Sequence, residues 1–311
     1  MLAVIGAVCL IAVAVLVRSA FAGGDGGGGG GNGSGNGDLP VVACTPDLAA
    51  VCDALVADDR IAADPQTLDL ADAAAPPPEV DAWITWDPAP AIANIDADQE
   101  NQPEPWSKPV ALAGGVLGVL GTAQEIEAAC PGGTTWRCIG EAGIDGTSTI
   151  GVGDPTTSEG LVRLGPLAFA TAGDPISADT LAFGLGDIVD GPVGGQGTAA
   201  EMAIDLATRS GSVDLVVGPM ALLRGTAGSA AGTTRKLVAE TALNDQPVAV
   251  VVAARTEKGA SLGDLCAGDS PSIEGTDTAR ALDALGLDEL CTEVPDDSLA
   301  GLLWQVRRNV T

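Results

Sequence analysis

Between residues 148 and 165 the chain reads STIGVGDPTTSEGLVRLG, and these residue types suit the capture of an anion or a polar ligand. Residues 149–152 form a short β-branched run that Gly153, Asp154 and Pro155 interrupt. Thr156, followed three residues later by Glu159, has capping-box spacing and predicts a helix that can bury Leu161, Val162 and Leu164. Such a junction aims backbone N–H groups, the positive end of the helix dipole and small hydroxyls at one spot. A well-capped strand–helix turn alone would look the same. Repetition adds weight to the ligand reading: VVACTPD (41–47), AWITWDP (82–88), TIGVGDPTTS (149–158) and DLVVGPM (214–220) all end a strand in one idiom. Four helix starts with Thr, Ser, Asp or Gly at the mouth can converge on one cleft.

Composition removes several chemistries. The chain has 311 residues and no His, which excludes His-based triads, His general bases and His metal ligands. Ser158 has no base in sight: no Ser-x-x-Lys and no phosphate-loop Gly-Lys-Ser/Thr ending occurs, so no catalytic residue, cofactor or metal site is expected. A net charge of −28, from 42 acidic and 14 basic residues, argues against a nucleic-acid partner and for a solvated acidic surface. Hydrophobic residues make up 46%, but aromatics only 3%, so the core must be built from Ala, Val, Leu and Ile.

Of the seven cysteines, Cys9 lies in the apolar N-terminal run. The other six suggest disulfides and an oxidising compartment. Cys130 and Cys138 flank a Pro-Gly-Gly turn and are expected to pair. A helix running straight from Pro46 would hold Cys44 and Cys52 ~12 Å apart, beyond the reach of a bridge. Either that helix starts late and folds back, or these two pair with Cys266 and Cys291.

The elements that must position these residues follow in order. Residues 1–22 are an export signal or a membrane anchor: an apolar run to residue 17, then a small-x-small site at residues 20–22. Residues 23–38, GGDGGGGGGNGSGNGD, are a flexible linker spanning ~20–25 Å, which suits a tether. Strands are expected at 40–43, 61–70, 80–86, 108–121, 149–152, 213–217, 236–242 and 248–253. Helices are expected after Pro46, at 89–95, 123–129 and 198–210, from Met220, and at 279–285, 287–293 and 297–306. The run 108–121 reads as one buried strand with a bulge at Gly114-Gly115, or as a strand crossing between two lobes. Alternating strands and helices indicate an α/β fold with mostly parallel sheets, whose ligands sit beyond the carboxyl ends of strands.

With these elements placed, the chain resembles the type II periplasmic solute-binding proteins of ABC importers, nearest the molybdate-binding-like branch. The resemblance rests on ACTPDL (43–48), ITWD (84–87), IGVGDP (150–155) and the Val-Val-Gly end at Gly218. It implies two α/β lobes joined by a crossover, lobe I from 39–112 with 236–311 and lobe II from 113–235. It implies a ligand site at Thr45, Thr85, Trp86, Thr156, Thr157, Ser158 and Gly218. The ligand would be a small oxyanion or a polar organic solute. The partner would be an ABC permease, and the protein a monomer outside the cytoplasm, exported or tethered to the membrane by its N-terminal segment. A tethered extracellular sensor or interaction module on the same fold is the alternative. The hydroxyl-rich array suits an anion and not a cation, with Asp47 and Asp154 expected to cap their own turns.

Overall fold

The computed structural model describes residues 39–100, 102–172, 197–208, 213–230, 236–242, 245–267, 271–294 and 300–310. The expected leader (1–22) and linker (23–38) lie outside the described residues. β1 (Val42–Cys44) leads through a 3-10 turn at Pro46–Leu48 into α1 (Ala49–Ala57). β2 (Gln66–Thr67) and β3 (Ala82–Trp86) both pair parallel with β1. Then come α2 (Ala89–Gln99), β4 (Val110–Thr122), α3 (Ala123–Ala129) and α4 (Trp136–Ile144). β5 (Ile150–Gly151), α5 (Ser158–Thr171), α6 (Ala199–Thr208), β6 (Leu215–Pro219) and α7 (Met220–Ser229) follow. The chain continues through β7 (Leu237–Glu240), β8 (Pro247–Ala254), α8 (Glu257–Ala260), a 3-10 turn at Ser261–Cys266, α9 (Asp277–Ala284), β9 (Glu289–Leu290) and α10 (Ala300–Val310).

The strands order as β2-β1-β3-β8-β4-β6-β5, with β7 and β9 also on β4. Only the flanks are parallel: β2, β1 and β3 on one side, β5 with β6 on the other. The centre is antiparallel, β3–β8–β4–β6, so the expectation of mostly parallel sheets is corrected to a mixed sheet. The reason is the crossover. β4 carries the chain out of the first flank, and β8 returns beside it in the opposite direction.

β4 pairs with β8 over residues 110–116 and with β6 from Leu117. Its register slips between Ala111 and Ala113, so the bulge falls at Leu112 and not at Gly114-Gly115. The expected strand at 61–70 is reduced to β2. The expected helix at 287–293 becomes β9. Cys291 there has φ of 54°, a left-handed conformation no helix accepts, and is bridged to Cys266.

Small aliphatic residues fill the core, as the composition demands: Val42, Ile84, Val119, Val217 and Val250 are all essentially buried. One core cluster runs across both flanks, with Trp83 against Trp106 at 5.4 Å as its largest aromatic pair. Cys130–Cys138 forms as expected. Cys44–Cys52 also forms, with Cα atoms 6.6 Å apart, because α1 starts only at Ala49.

Candidate functional site

The carboxyl ends of β1, β3 and β6 and the amino ends of α5 and α6 surround one cavity of about 70 Å³. Three of the four strand-end idioms supply a wall each, Asp47, Trp86 and Pro219, and Glu159, the residue after the fourth idiom, supplies another from the first turn of α5. Residues 198–200 at the start of α6, Leu222 of α7 and Leu285 after α9 complete it. Gly286 makes the last contact feasible. Its φ of +79° ends α9, and a Cβ there would lie 2.4 Å from the Leu222 backbone nitrogen.

Asp47 sits in the 3-10 turn after β1 and is only partly exposed. Its Oδ2 accepts the indole N–H of Trp86, a residue 2% exposed at the end of β3. Burial pushes the Asp47 carboxyl above its usual range, and the Trp86 N–H only partly opposes this. Glu159, in the first turn of α5, is 7% exposed. Its Oε1 accepts from the Ala199 amide at 2.8 Å, which pins α6 to α5, and from Arg163 Nη1 at 3.4 Å. Burial raises this carboxyl too, with the Arg163 charge pulling it down and the Asp47 charge adding to the rise.

Arg163 lies one turn along α5 and is 1% exposed. Its Nε donates to the Val217 carbonyl at 2.7 Å and its Nη2 to the Gly151 carbonyl at 3.2 Å. The guanidinium therefore clamps the ends of β5 and β6 while pairing with Glu159. Burial lowers its pKa to about 10, which leaves it charged at neutral pH.

Of the residues expected from sequence, Trp86 lines the cavity. Thr45, Thr85 and Ser158 are buried beside lining segments and do not line the cavity; the Thr45 hydroxyl faces the Asp47 carboxyl, and those of Thr85 and Ser158 have no well-formed hydrogen bond among the described residues. Gly218 precedes Pro219; a Cβ on it would meet that of Ala199 at 2.9 Å, so glycine lets α6 close over β6. Thr156 and Thr157 are engaged in the turn. Thr156 Oγ1 and N donate to Asp154 Oδ1 at 2.7 and 2.9 Å. Thr157 Oγ1 donates to the Asp154 carbonyl and accepts from the Gly160 amide at 3.1 Å.

Thr157, not Thr156, is thus the N-cap of α5. Asp154 captures Thr156, and Glu159 is drawn to Arg163, so the expected capping box does not form. Asp154 caps its turn as expected, and Asp47, besides engaging its own amide and Thr45, accepts from Trp86. Asp47 and Glu159 both line the cavity, so it carries two carboxyl groups where a hydroxyl-rich array suited to an anion was expected. The overlooked signal was Arg163 itself, a charge four residues after Glu159 in an otherwise apolar helix.

Solved structures share this architecture. A periplasmic thiamin binding protein superposes with a TM-score of 0.52 at 12% identity, covering 91% of this chain and 100% of that one. This is the two-lobed periplasmic-binding-protein fold. The binding-protein component of an ABC phosphonate transporter from Pseudomonas aeruginosa gives 0.50 at 13% identity, covering 87% of this chain and 88% of that one. Thiaminase I from Bacillus thiaminolyticus gives 0.47 at 13% identity, covering 86% and 91%. At such identities the likeness concerns the fold alone. No protein-family model matches the chain, and no curated protein matches it in sequence.

Proposed function

We propose that this chain is an extracytoplasmic solute-binding protein that captures a small polar solute between two lobes for an ABC importer, without catalysis. The observation that carries this reading is the cavity: three separate strand ends of a periplasmic-binding fold and the amino ends of two helices supply its walls. Ligands of open α/β sheets bind beyond the carboxyl ends of strands, where loops from several elements meet. Nucleophilic catalysis would need an activated group. Ser158 Oγ has no base within hydrogen-bond reach among the described residues.

Lobe I is proposed to comprise 39–112 and the C-terminal segment, and lobe II 113–235. Trp86 would touch the solute, with Thr45, Thr85 and Ser158 buried behind the lining. Gly218 would keep α6 close, and Thr156 and Thr157 would hold the turn. The N-terminal 38 residues would export or tether the domain.

Calorimetric titration of the full chain against a panel of small polar solutes tests the reading. One solute should bind with an affinity that falls at least tenfold in Trp86→Ala, and X-ray scattering should show compaction on binding. Failure of every solute to bind would refute it.

A further inference from the structure

We propose that the cavity takes the cationic, N–H-bearing head of an organic solute rather than an oxyanion. The proposal deepens the solute-binding reading and rests on it.

Two of the cavity's walls are carboxylates, Asp47 and Glu159, and no Lys or Arg lines it among the described residues. The buried cation behind it, Arg163, does not line it and turns three of its five N–H groups to Glu159 and to the carbonyls of Val217 and Gly151. An entering oxyanion would therefore meet two carboxyl groups and, among the described residues, no cation in the lining. A cation would meet the reverse. Each carboxylate accepts up to about four hydrogen bonds, and Asp47 and Glu159 keep acceptor capacity beyond Trp86, Ala199 and Arg163.

The Trp86 N–H is spent on Asp47, so the indole offers a solute its ring, and aromatic rings attract cations. The remaining walls are mostly apolar: Pro219, Leu222, Leu285 and the alanines of α6. They suit carbon, not a hydrated ion. No group of three His, Cys, Asp or Glu able to hold a metal occurs among the described residues. At about 70 Å³ the space fits a compact head and not a long chain. The surface charge of −28 would also concentrate cations near the mouth.

Surface charge could also bind cations without any cavity, and the test separates the two. The full chain is titrated in about 1 M NaCl, where the screening length is ~3 Å. The cationic probes are methylammonium, guanidinium, choline, putrescine and thiamin; the anionic probes are sulfate, phosphate, molybdate and acetate. At least one cation should bind and no anion should. Asp47→Asn keeps an acceptor for the Trp86 N–H but removes the charge, and should weaken that cation at least tenfold. Leu222→Lys, at a half-exposed position, places a built-in ammonium in the cavity and should abolish binding while the circular dichroism is unchanged. Anion binding with inert cations would overturn the cation assignment and leave solute capture standing. Cation binding indifferent to both substitutions would overturn it as surface association. Silence from both probe sets would overturn this inference and the solute-binding reading together.

Discussion

Arg163 is the only charged side chain between Gly160 and Ala172, and the environment of α5 forces it to find partners inside the protein. It satisfies two strand-end carbonyls and Glu159 at once, which a lysine ammonium could not do with the same planar fork. Arg163→Met should therefore lose about 3–5 kcal/mol of stability, because Glu159 is left as an uncompensated buried charge. Urea unfolding would measure it. Adding Glu159→Gln to that variant should restore part of the loss. A single variant as stable as the parent would mean that the pair contributes no more than an exposed one.

The turn that carries Asp47 shows how an element can be held by a covalent bond close to a site. The 3-10 turn at Pro46–Leu48 displaces the start of α1 to Ala49, so Cys52 falls in the first helical turn, within bridging distance of Cys44. Closing this short loop limits the unfolded chain and fixes where Asp47 points. Replacing both Cys44 and Cys52 by Ser should cost about 2–4 kcal/mol in thermal or denaturant unfolding. It should also weaken solute binding more than the matched removal of Cys130 and Cys138, which lie away from the cavity lining. Equal effects of the two removals would detach the first disulfide from the site.

Across the whole molecule, ionisation links the site to stability. Asp47 and Glu159 have folded pKa values raised above the ordinary 3.8 and 4.5, chiefly by burial. The folded state then holds their protons more tightly than the unfolded state does. These two groups add stability at low pH and withdraw it as pH rises from their unfolded values through the raised folded ones. Asp58 acts in the opposite sense. Burial pushes its carboxyl up, but the Thr278 hydroxyl and amide, donating at 2.6 and 2.9 Å, bring it below 3.8. Its contribution is present above pH 3.8 and is lost as pH falls through the lowered value. Melting curves should therefore rise as pH falls from neutral towards about 4.5 and drop below about 3.8. Relief of self-repulsion from the −28 charge acts the same way in the upper window, so the comparison with Asp47→Asn isolates the site: its slope there should be shallower. Affinity for a cation should fall with acidification over that same window, because the protonated carboxyls no longer attract it.

Most of the strands, the Cys130–Cys138 bridge and the meeting of the β1, β3 and β6 ends were legible in the chain because each depends on local chemistry: β-branched runs, a Pro-Gly-Gly turn, and Thr, Pro or Gly where a strand must stop. Long-range pairing decided the rest. β8 returns beside β4 across more than a hundred residues, and this made the centre of the sheet antiparallel. Cys291 is held by Cys266, and this turned an expected helix into β9. At the site, spacing alone gave Glu159 to Thr156, a local partner. Only folding brought Arg163, Ala199 and Asp47 around it, and the strong field of a buried guanidinium outweighed a capping bond at a half-wet helix end. Which side chains faced the cavity was thus set by tertiary electrostatics, which no window of neighbouring residues contains.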